Sequence, residues 1–222
     1  MGRLERYRCL QELYSSHANE NLISKEKYKL NLGGITISGP SGTGKTTLAR
    51  LAAERYQIPN QRNIKIGDLM RKAQNKQKEE GAIERPLNLD EQMDQSQRTL
   101  IQQATINEPF ILEGRLSGFI TKQEREKNPN LPVISILLTA SYNKSIERIK
   151  KRNPSMTENE IAQKSAERAA NDLQIWKGIH PELNDPYNPA YYDIIINTDS
   201  LNPQEVLEHI HNELLQRGKV KN

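Results

Sequence analysis

Residues 34–47 read Gly34-Ile-Thr-Ile-Ser-Gly-Pro-Ser-Gly-Thr-Gly-Lys-Thr-Thr47, which is a short β-rich run, a glycine turn and the start of a helical stretch. Residues 39–46 match the pattern G-x-x-x-x-G-K-S/T at every fixed position. The glycines let backbone N–H groups turn inward around an anion, and the helix N-terminus adds its positive dipole. Lys45 can reach the β- and γ-phosphates, and the Thr46 hydroxyl can ligate Mg²⁺. The stretch therefore predicts a nucleoside triphosphate site formed by Gly39, Pro40, Ser41, Gly42, Thr43, Gly44, Lys45, Thr46 and Thr47.

Strands and helices alternate along the rest of the chain. Five apolar or β-rich runs are predicted strands, and stretches of helical pattern separate them. Strands that are buried on both faces and separated by helices indicate a parallel sheet with right-handed crossovers. The predicted class is therefore α/β, a doubly wound five-stranded parallel sheet with helices on both faces. The predicted strands are 34–38, 62–66, 109–113, 133–138 and 192–197, and the later predicted helices are 90–105, 141–152, 157–177 and one that begins at Asn202.

Four stretches are predicted to lie outside this regular pattern. Residues 72–92 are highly charged and carry Gly81 and Pro86, which predicts a mobile segment, and 121–132 is predicted to be a second polar loop. Residues 1–30 are predicted to be a peripheral extension and 218–222 a tail, around a domain over 31–217. The four histidines lack metal-ligand spacing and are predicted to be solvated. Trp176 is predicted to be a packing residue.

The composition excludes several classes of protein. The chain has 222 residues, 35% of them hydrophobic, and a mean hydropathy of −0.81, yet its apolar runs exclude general disorder. The longest apolar run is far shorter than the ~20 residues of a membrane span. The N-terminal residues are charged where a signal peptide is apolar. The single cysteine, Cys9, fits a cytoplasmic protein, which we expect to act as a monomer.

The charge balance favours a small anionic partner. Lys and Arg number 32 and Asp and Glu 28, which gives a net charge of +4. Aromatic residues are only 5% and are not interleaved with the basic ones, so platforms for stacking nucleic-acid bases are not evident. A small-molecule nucleotide, rather than a nucleic acid or a membrane, is therefore the expected partner.

Charged residues follow two predicted strands at the ends where doubly wound sheets bind ligands. Glu113 could hold the Mg²⁺ shell through water, and Arg115 could clamp an anion. Arg71, which follows another predicted strand end at Ile66, would point into the same crevice. Phosphoryl transfer also needs positive charge over the transferring group and exclusion of water, which a hinged basic lid supplies. The candidate lid arginines are Arg148, Arg152 and Arg168.

These motifs, in this order, resemble the nucleoside monophosphate kinase family of P-loop kinases, and within it the cytidylate kinase-like branch. The resemblance runs from about Gly34 to Leu215. The stretches that carry it are Ile35-Thr-Ile-Ser-Gly-Pro-Ser-Gly-Thr-Gly-Lys-Thr-Thr-Leu-Ala49, Gly67-Asp68 with Arg71, Met93-Asp94-Gln-Ser-Gln97, Leu112-Glu-Gly-Arg-Leu116 and Tyr192-Asp-Ile-Ile-Ile-Asn-Thr198.

The resemblance implies transfer of the γ-phosphate of ATP to a pyrimidine monophosphate, CMP or dCMP, with Mg²⁺ held by Thr46 and Glu113. It implies an acceptor segment over about 67–105 and a helical lid over about 148–177. The implied catalytic residues are Lys45, Glu113, Arg115, Arg148, Arg152 and Arg168. The implied acceptor ligands are Gly67, Asp68, Arg71, Asp94, Gln97, Arg115 and Asp172.

Two alternatives stay open at this point. A kinase whose acceptor is a hydroxyl, on a nucleoside or a metabolite, needs a carboxylate base, and Glu113 could serve. A phosphate acceptor is largely ionised at pH 7 and needs several arginines instead, which this chain offers. A regulatory module would bind ATP and transfer no phosphate.

Overall fold

The main sheet has the predicted architecture. The computed structural model describes residues 28–79 and 89–221. Its strands are β1 (Lys29–Leu30), β2 (Gly34–Ser38), β3 (Asn63–Lys65), β4 (Phe110–Glu113), β5 (Val133–Thr139), β6 (Ile194–Asn197) and β7 (Val220–Lys221). Strands β2 to β6 form one parallel sheet in the spatial order β3-β4-β2-β5-β6. The α/β prediction is therefore confirmed.

Seven helices lie among the described residues: α1 (Lys45–Arg55), α2 (Ile66–Glu79), α3 (Leu89–Gln102), α4 (Ser117–Lys127), α5 (Tyr142–Arg152), α6 (Glu158–Ile179) and α7 (Pro203–Gln216). Capping chemistry sets where the last two begin. Thr157 and Glu160 form a reciprocal capping box at α6, and Asn202 and Glu205 form another at α7. Each box satisfies backbone N–H groups that the first helical turn leaves without a partner.

The helices cover both faces of the sheet. On one face, Ile37 of β2 lies in the same apolar cluster as Leu48 of α1 and Leu207 of α7. On the other face, Leu112 of β4 packs in a cluster with Ile120 of α4. Each fully buried side chain of this size contributes about 1.5–3 kcal/mol. Burial on both faces fixes the sheet, and with it the carboxyl ends of the strands where the site lies.

The polar loop predicted over 121–132 is wrong for 121–127, which belong to α4, and residues 128–132 form a loop as predicted. Within 121–127, Thr121 and Glu124 are buried, whereas Glu126 and Lys127 are exposed. Glu124, which is 1% exposed, accepts hydrogen bonds from Arg98 at 2.6 Å and Gln102 at 2.7 Å, both on α3. Burial raises the pKa of Glu124, but hydrogen bonds from Lys127, Gln102 and Arg98 outweigh it and hold this pKa below its usual range.

The predicted boundaries also move. The mobile segment predicted over 72–92 is wrong for 72–79, which are helical, while the helix predicted from Asp90 is confirmed and begins at Leu89; residues 80–88 lie outside the described residues. At the ends, β1 pairs with β7, and both Leu30 and Val220 are buried. The domain therefore extends beyond 31–217 on both sides, into the predicted extension and the predicted tail. Within 28–79 and 89–221, no helix has the length and apolar character needed to span a membrane.

Candidate active site

The phosphate loop lies between β2 and α1, as predicted. Gly42 and Gly44 have positive φ values of 85° and 96°, a conformation that side chains with a Cβ rarely adopt. A Cβ at Gly42 would also lie 2.7 Å from the carbonyl oxygen of Ser145, at the start of α5. Lys45 and Thr46 are the first two residues of α1, where the helix dipole favours negative charge. The local geometry is that of an anion-binding loop.

Lys45 sits at the focus of the charged groups in the crevice. Its Nζ donates to the carbonyl oxygen of Pro40 at 2.7 Å. Burial lowers the pKa of Lys45 to about 8, and the Glu113 carboxylate opposes this shift. Three guanidinium groups add to the lowering, those of Arg115, Arg168 and Arg152. Four of the predicted catalytic cations therefore share one electrostatic neighbourhood.

Thr46 and Glu113 offer oxygen atoms that suit Mg²⁺. The Thr46 hydroxyl donates to Oε1 of Glu113 at 2.8 Å. Oε2 of Glu113 is buried, and no hydrogen-bond partner is found for it among the described residues. Mg²⁺ binds oxygen ligands, keeps several waters and takes few protein groups when phosphates are present. These residues fit the metal, which Thr46 would bind directly and Glu113 through water.

Arg115 connects the phosphate loop to the predicted lid. Its guanidinium pairs with the Asp172 carboxylate on α6 and donates to the Ser41 hydroxyl at 2.7 Å. Nε of Arg168 lies 4.0 Å from the same carboxylate. Arg115 and Asp172 are 16% and 14% exposed, so their pairing is largely shielded from solvent. The structure thus brings one predicted acceptor arginine, two lid residues and the phosphate loop together.

The acceptor turn after β3 is more open. Arg71 pairs with the Asp68 carboxylate one helical turn earlier, and both side chains are exposed. The charge of Arg71 lowers the pKa of Arg168, although burial and the charge of Arg115 act more strongly on it. A groove of about 780 Å³ runs between β3, the start of α2 and α3, and its lining includes Asp68 and Gln97. It has the size of a ligand pocket.

Gln97 borders both this groove and the Glu113-Gly114-Arg115 segment. Its Oε1 accepts a hydrogen bond from the Ser117 hydroxyl at 2.6 Å. A Cβ at Gly114 would lie 2.3 Å from Ser117 Oγ and 3.1 Å from Gln97 Oε1, so a larger residue would have to displace the hydrogen-bonded Ser117 hydroxyl. The lack of space around Gly114 therefore explains why a glycine stands at this position of the motif. Gly67 has no such crowding, because the nearest atom to an added Cβ is Arg71 Nη1 at 3.7 Å.

Two predicted site residues have other partners. Arg148, predicted as a lid arginine, donates to the Thr198 hydroxyl at 2.8 Å and to the Gly42 carbonyl oxygen at 3.3 Å. It thereby braces the phosphate loop against the end of β6. Asp94, predicted to contact the acceptor, is buried on α3 and hydrogen-bonded to His180. The bond to His180 engages its Oδ2.

Other residues near the site were not predicted. His180 and His211 are buried, so the prediction of solvated histidines is wrong for both. Burial raises the pKa of Tyr187 to about 12; the Arg115 guanidinium opposes the shift and the Asp172 carboxylate adds to it. No local pattern marks Tyr187 or His180, because each acquires its surroundings from distant parts of the chain. The prediction that Trp176 packs against the core is confirmed.

Comparisons with known proteins identify the family of the chain. A family model described as an AAA domain matches residues 35–170. The chain is 30% identical over 201 residues to a cytidylate kinase from Methanopyrus kandleri, covering 82% of this chain and 95% of the relative. It is 31% identical over 194 residues to a cytidylate kinase from Methanococcus aeolicus, covering 83% and 99%.

A solved structure supports the fold. A gluconokinase from Sinorhizobium meliloti 1021 superposes with a TM-score of 0.55 at 17% identity, over 85% of this chain and 94% of that one. This similarity shows the fold alone. The chain belongs to the nucleoside monophosphate kinase family of P-loop kinases, in its cytidylate kinase-like branch, and is an ATP-dependent phosphotransferase.

Proposed function

We propose that the protein transfers the γ-phosphate of ATP to CMP or dCMP, giving ADP and CDP or dCDP. The observation that carries the proposal is the arginine cluster at the phosphate loop, where Arg115 donates to the Ser41 hydroxyl at 2.7 Å and shares the Asp172 carboxylate with Arg168. Two anionic reactants can approach each other only where several cations neutralise them. The names of the archaeal relatives, which are cytidylate kinases, support the choice of a cytidine nucleotide.

The proposed mechanism needs no general base. A phosphate acceptor is largely ionised at pH 7, because its second pKa is near ~6, so its oxygen attacks the γ-phosphorus directly. The bond from that phosphorus to the β–γ bridging oxygen breaks, and ADP leaves. Lys45 holds the β- and γ-phosphates, and Arg115 and Arg168 offset the charge between the reactants. Mg²⁺, when bound, neutralises the phosphate oxygens beside Thr46.

Asp68, Arg71 and Gln97 are the proposed acceptor side of the site. Asp68 and Gln97 line the groove of about 780 Å³, which is large enough for a base and its ribose. Gln97 also reaches the segment that carries Arg115. We therefore assign the acceptor phosphate to Arg115 and Arg71 and the nucleoside to the groove.

The test is an acceptor series. Purified protein with Mg²⁺ and ATP is mixed with CMP, dCMP, UMP, AMP, GMP, cytidine or no acceptor, and ADP and the second product are quantified. The proposal predicts equal amounts of ADP and CDP or dCDP with the cytidine monophosphates. Protein that binds ATP but forms no acceptor-dependent ADP with any monophosphate would contradict it.

Glu113 distinguishes the proposal from a kinase with a hydroxyl acceptor. The buried Oε2 without a found partner is the observation that favours the latter, because a general base needs a free oxygen. Glu113→Gln removes a base and should then cost about 10²–10⁴ in kcat. In a monophosphate kinase the same change only weakens the water-mediated hold on Mg²⁺, so raising Mg²⁺ should restore much of the rate.

A further inference from the structure

The lid helix α6 is held near its two ends and, between them, through Asp172, which pairs with Arg115. Of its 22 residues, all of them described, only Ile161 is buried. At the far end, Trp176 packs against the apolar cluster around Phe110 and Leu112, and the next turn ends at His180. The chain then turns into Leu183, which is fully buried. The C-terminal end of α6 is therefore anchored in the core. We call this end, residues 176–180, the base of α6.

His180 connects this base to the acceptor side of the site. Its Nε2 bonds to Oδ2 of Asp94 on α3, and both side chains are 8% exposed. A carboxylate only accepts, so this ring nitrogen carries the proton. The ring also meets Phe119 of α4 edge to face, with centroids 5.2 Å apart. The end of α6 is thus tied to α3, which lines the acceptor groove, and to α4, which packs against α3.

Helices α3 and α6 each contact the Glu113-Gly114-Arg115 segment. Gln97 lies one turn after Asp94 on α3 and borders Gly114. Asp172 lies eight residues before His180 on α6, about 12 Å along the helix axis, and pairs with Arg115. The contact between Asp94 and His180 therefore helps to set the positions of α3 and α6 relative to Arg115.

We propose that His180 is a positioning residue for acceptor binding, which it supports by holding α6 against α3 through Asp94. This inference rests on the proposed function for its kinetic test. It assigns Asp94 to this link and not to substrate contact. Removal of one partner of a buried hydrogen-bonded pair leaves the other group without its hydrogen bond, so the link is expected to fail when His180 is removed.

The kinetic test compares three variants. His180→Ala is expected to raise the KM of the acceptor about tenfold while the KM of ATP stays within about twofold. Asp94→Asn keeps a hydrogen-bond acceptor for the imidazole, so the acceptor KM is expected to stay within about threefold. His209→Ala, the same change at an exposed position on α7, is the matched control and should leave both KM values unchanged. Equal increases in both KM values for His180→Ala would overturn the proposal.

Trp176 supplies a readout that does not depend on activity. It is the chain's only tryptophan and lies one helical turn before His180. In folded His180→Ala, acrylamide is expected to quench its fluorescence about twice as strongly as in the parent protein, because the base of α6 is loosened. Unchanged quenching would contradict the proposal. If His180→Ala does not fold, His180→Asn, which keeps a donor but cannot span the same distance, is expected to give the same two results.

Coupling to Asp172 completes the test. If His180 acts by placing Asp172, the acceptor KM of the double variant His180→Ala with Asp172→Ala should exceed that of the worse single variant by no more than about twofold. Multiplied single effects would contradict the proposal. If the parent protein phosphorylates no monophosphate, the proposed function is refuted. The role of His180 would then still be decided by the quenching and by a double-mutant cycle on the free energy of unfolding.

Discussion

The phosphate loop and the acceptor side of the site are built in different ways. The loop needs only the consecutive residues 39–46 and the helix that follows them, and its function follows from backbone N–H groups, one lysine and one hydroxyl. The acceptor side depends on side chains that are far apart in sequence: 57 positions separate Arg115 from Asp172, and 86 separate Asp94 from His180. The difference teaches that donor binding is a local property, whereas acceptor binding depends on how helices pack.

The largest effect on the donor side of the site, which is the phosphate loop, is expected from Lys45→Ala. This removes the cation nearest the predicted β- and γ-phosphates, and loss of one such group typically costs about 10²–10³ in kcat. Because Lys45 is a partly buried charged residue that contributes no apolar packing, its replacement should hardly change the free energy of unfolding. Steady-state rates and urea unfolding check both points. Arg50→Ala, an exposed cation on the same helix, is the control and should keep the parent rate.

The corresponding change on the acceptor side is Arg115→Ala. We expect the acceptor KM to rise about 10²-fold and the KM of ATP to rise much less, since a largely buried pair with Asp172 is lost together with the proposed phosphate contact. Arg217→Ala, at an exposed position, serves as the control. An acceptor KM that stays at the parent value would place the acceptor phosphate elsewhere.

The same contrast explains what could be predicted from the sequence. Three features follow from local patterns and agree with the structure. They are the phosphate loop, the parallel arrangement of the sheet and the capped starts of α6 and α7. The residues of α4 looked like a loop because Glu124 is polar, yet α3 supplies its partners. Asp94 belongs to a motif, but its partner His180 lies in no motif, so local patterns gave no reason to pair them.

Within the phosphate loop, alanine variants at two glycines distinguish backbone strain from steric conflict. Gly44→Ala forces a residue with a Cβ to φ near 96° in open space, which should lower the free energy of unfolding by about 1–2 kcal/mol. Gly42→Ala adds a conflict with the Ser145 backbone, so the loss should exceed that of Gly44→Ala by about 1 kcal/mol or more. Urea unfolding of both variants measures the difference. Equal losses would mean that α5 does not press on the loop.

The smallest expected effect is a pH dependence on the donor side. Lys45 is charged below its pKa of about 8 and neutral above it, and only the charged form attracts phosphate. The value of kcat/KM for ATP should therefore fall as pH rises through about 8, by about tenfold per unit well above it. Arg152→Ala removes a repulsive charge and should move this fall to higher pH. A profile that stays flat to pH 10 would contradict the burial of Lys45.

The central claim is that the two halves meet across Lys45 and Arg115, so that one ligand can bind both. The most direct measurement is calorimetric binding of a bisubstrate analogue in which five phosphates join adenosine to cytidine. Because linked ligands bind with a high effective concentration, we predict that it binds about 10²-fold more tightly than ATP, and that Arg115→Ala removes most of this gain. An analogue that binds no more tightly than ATP would contradict the account.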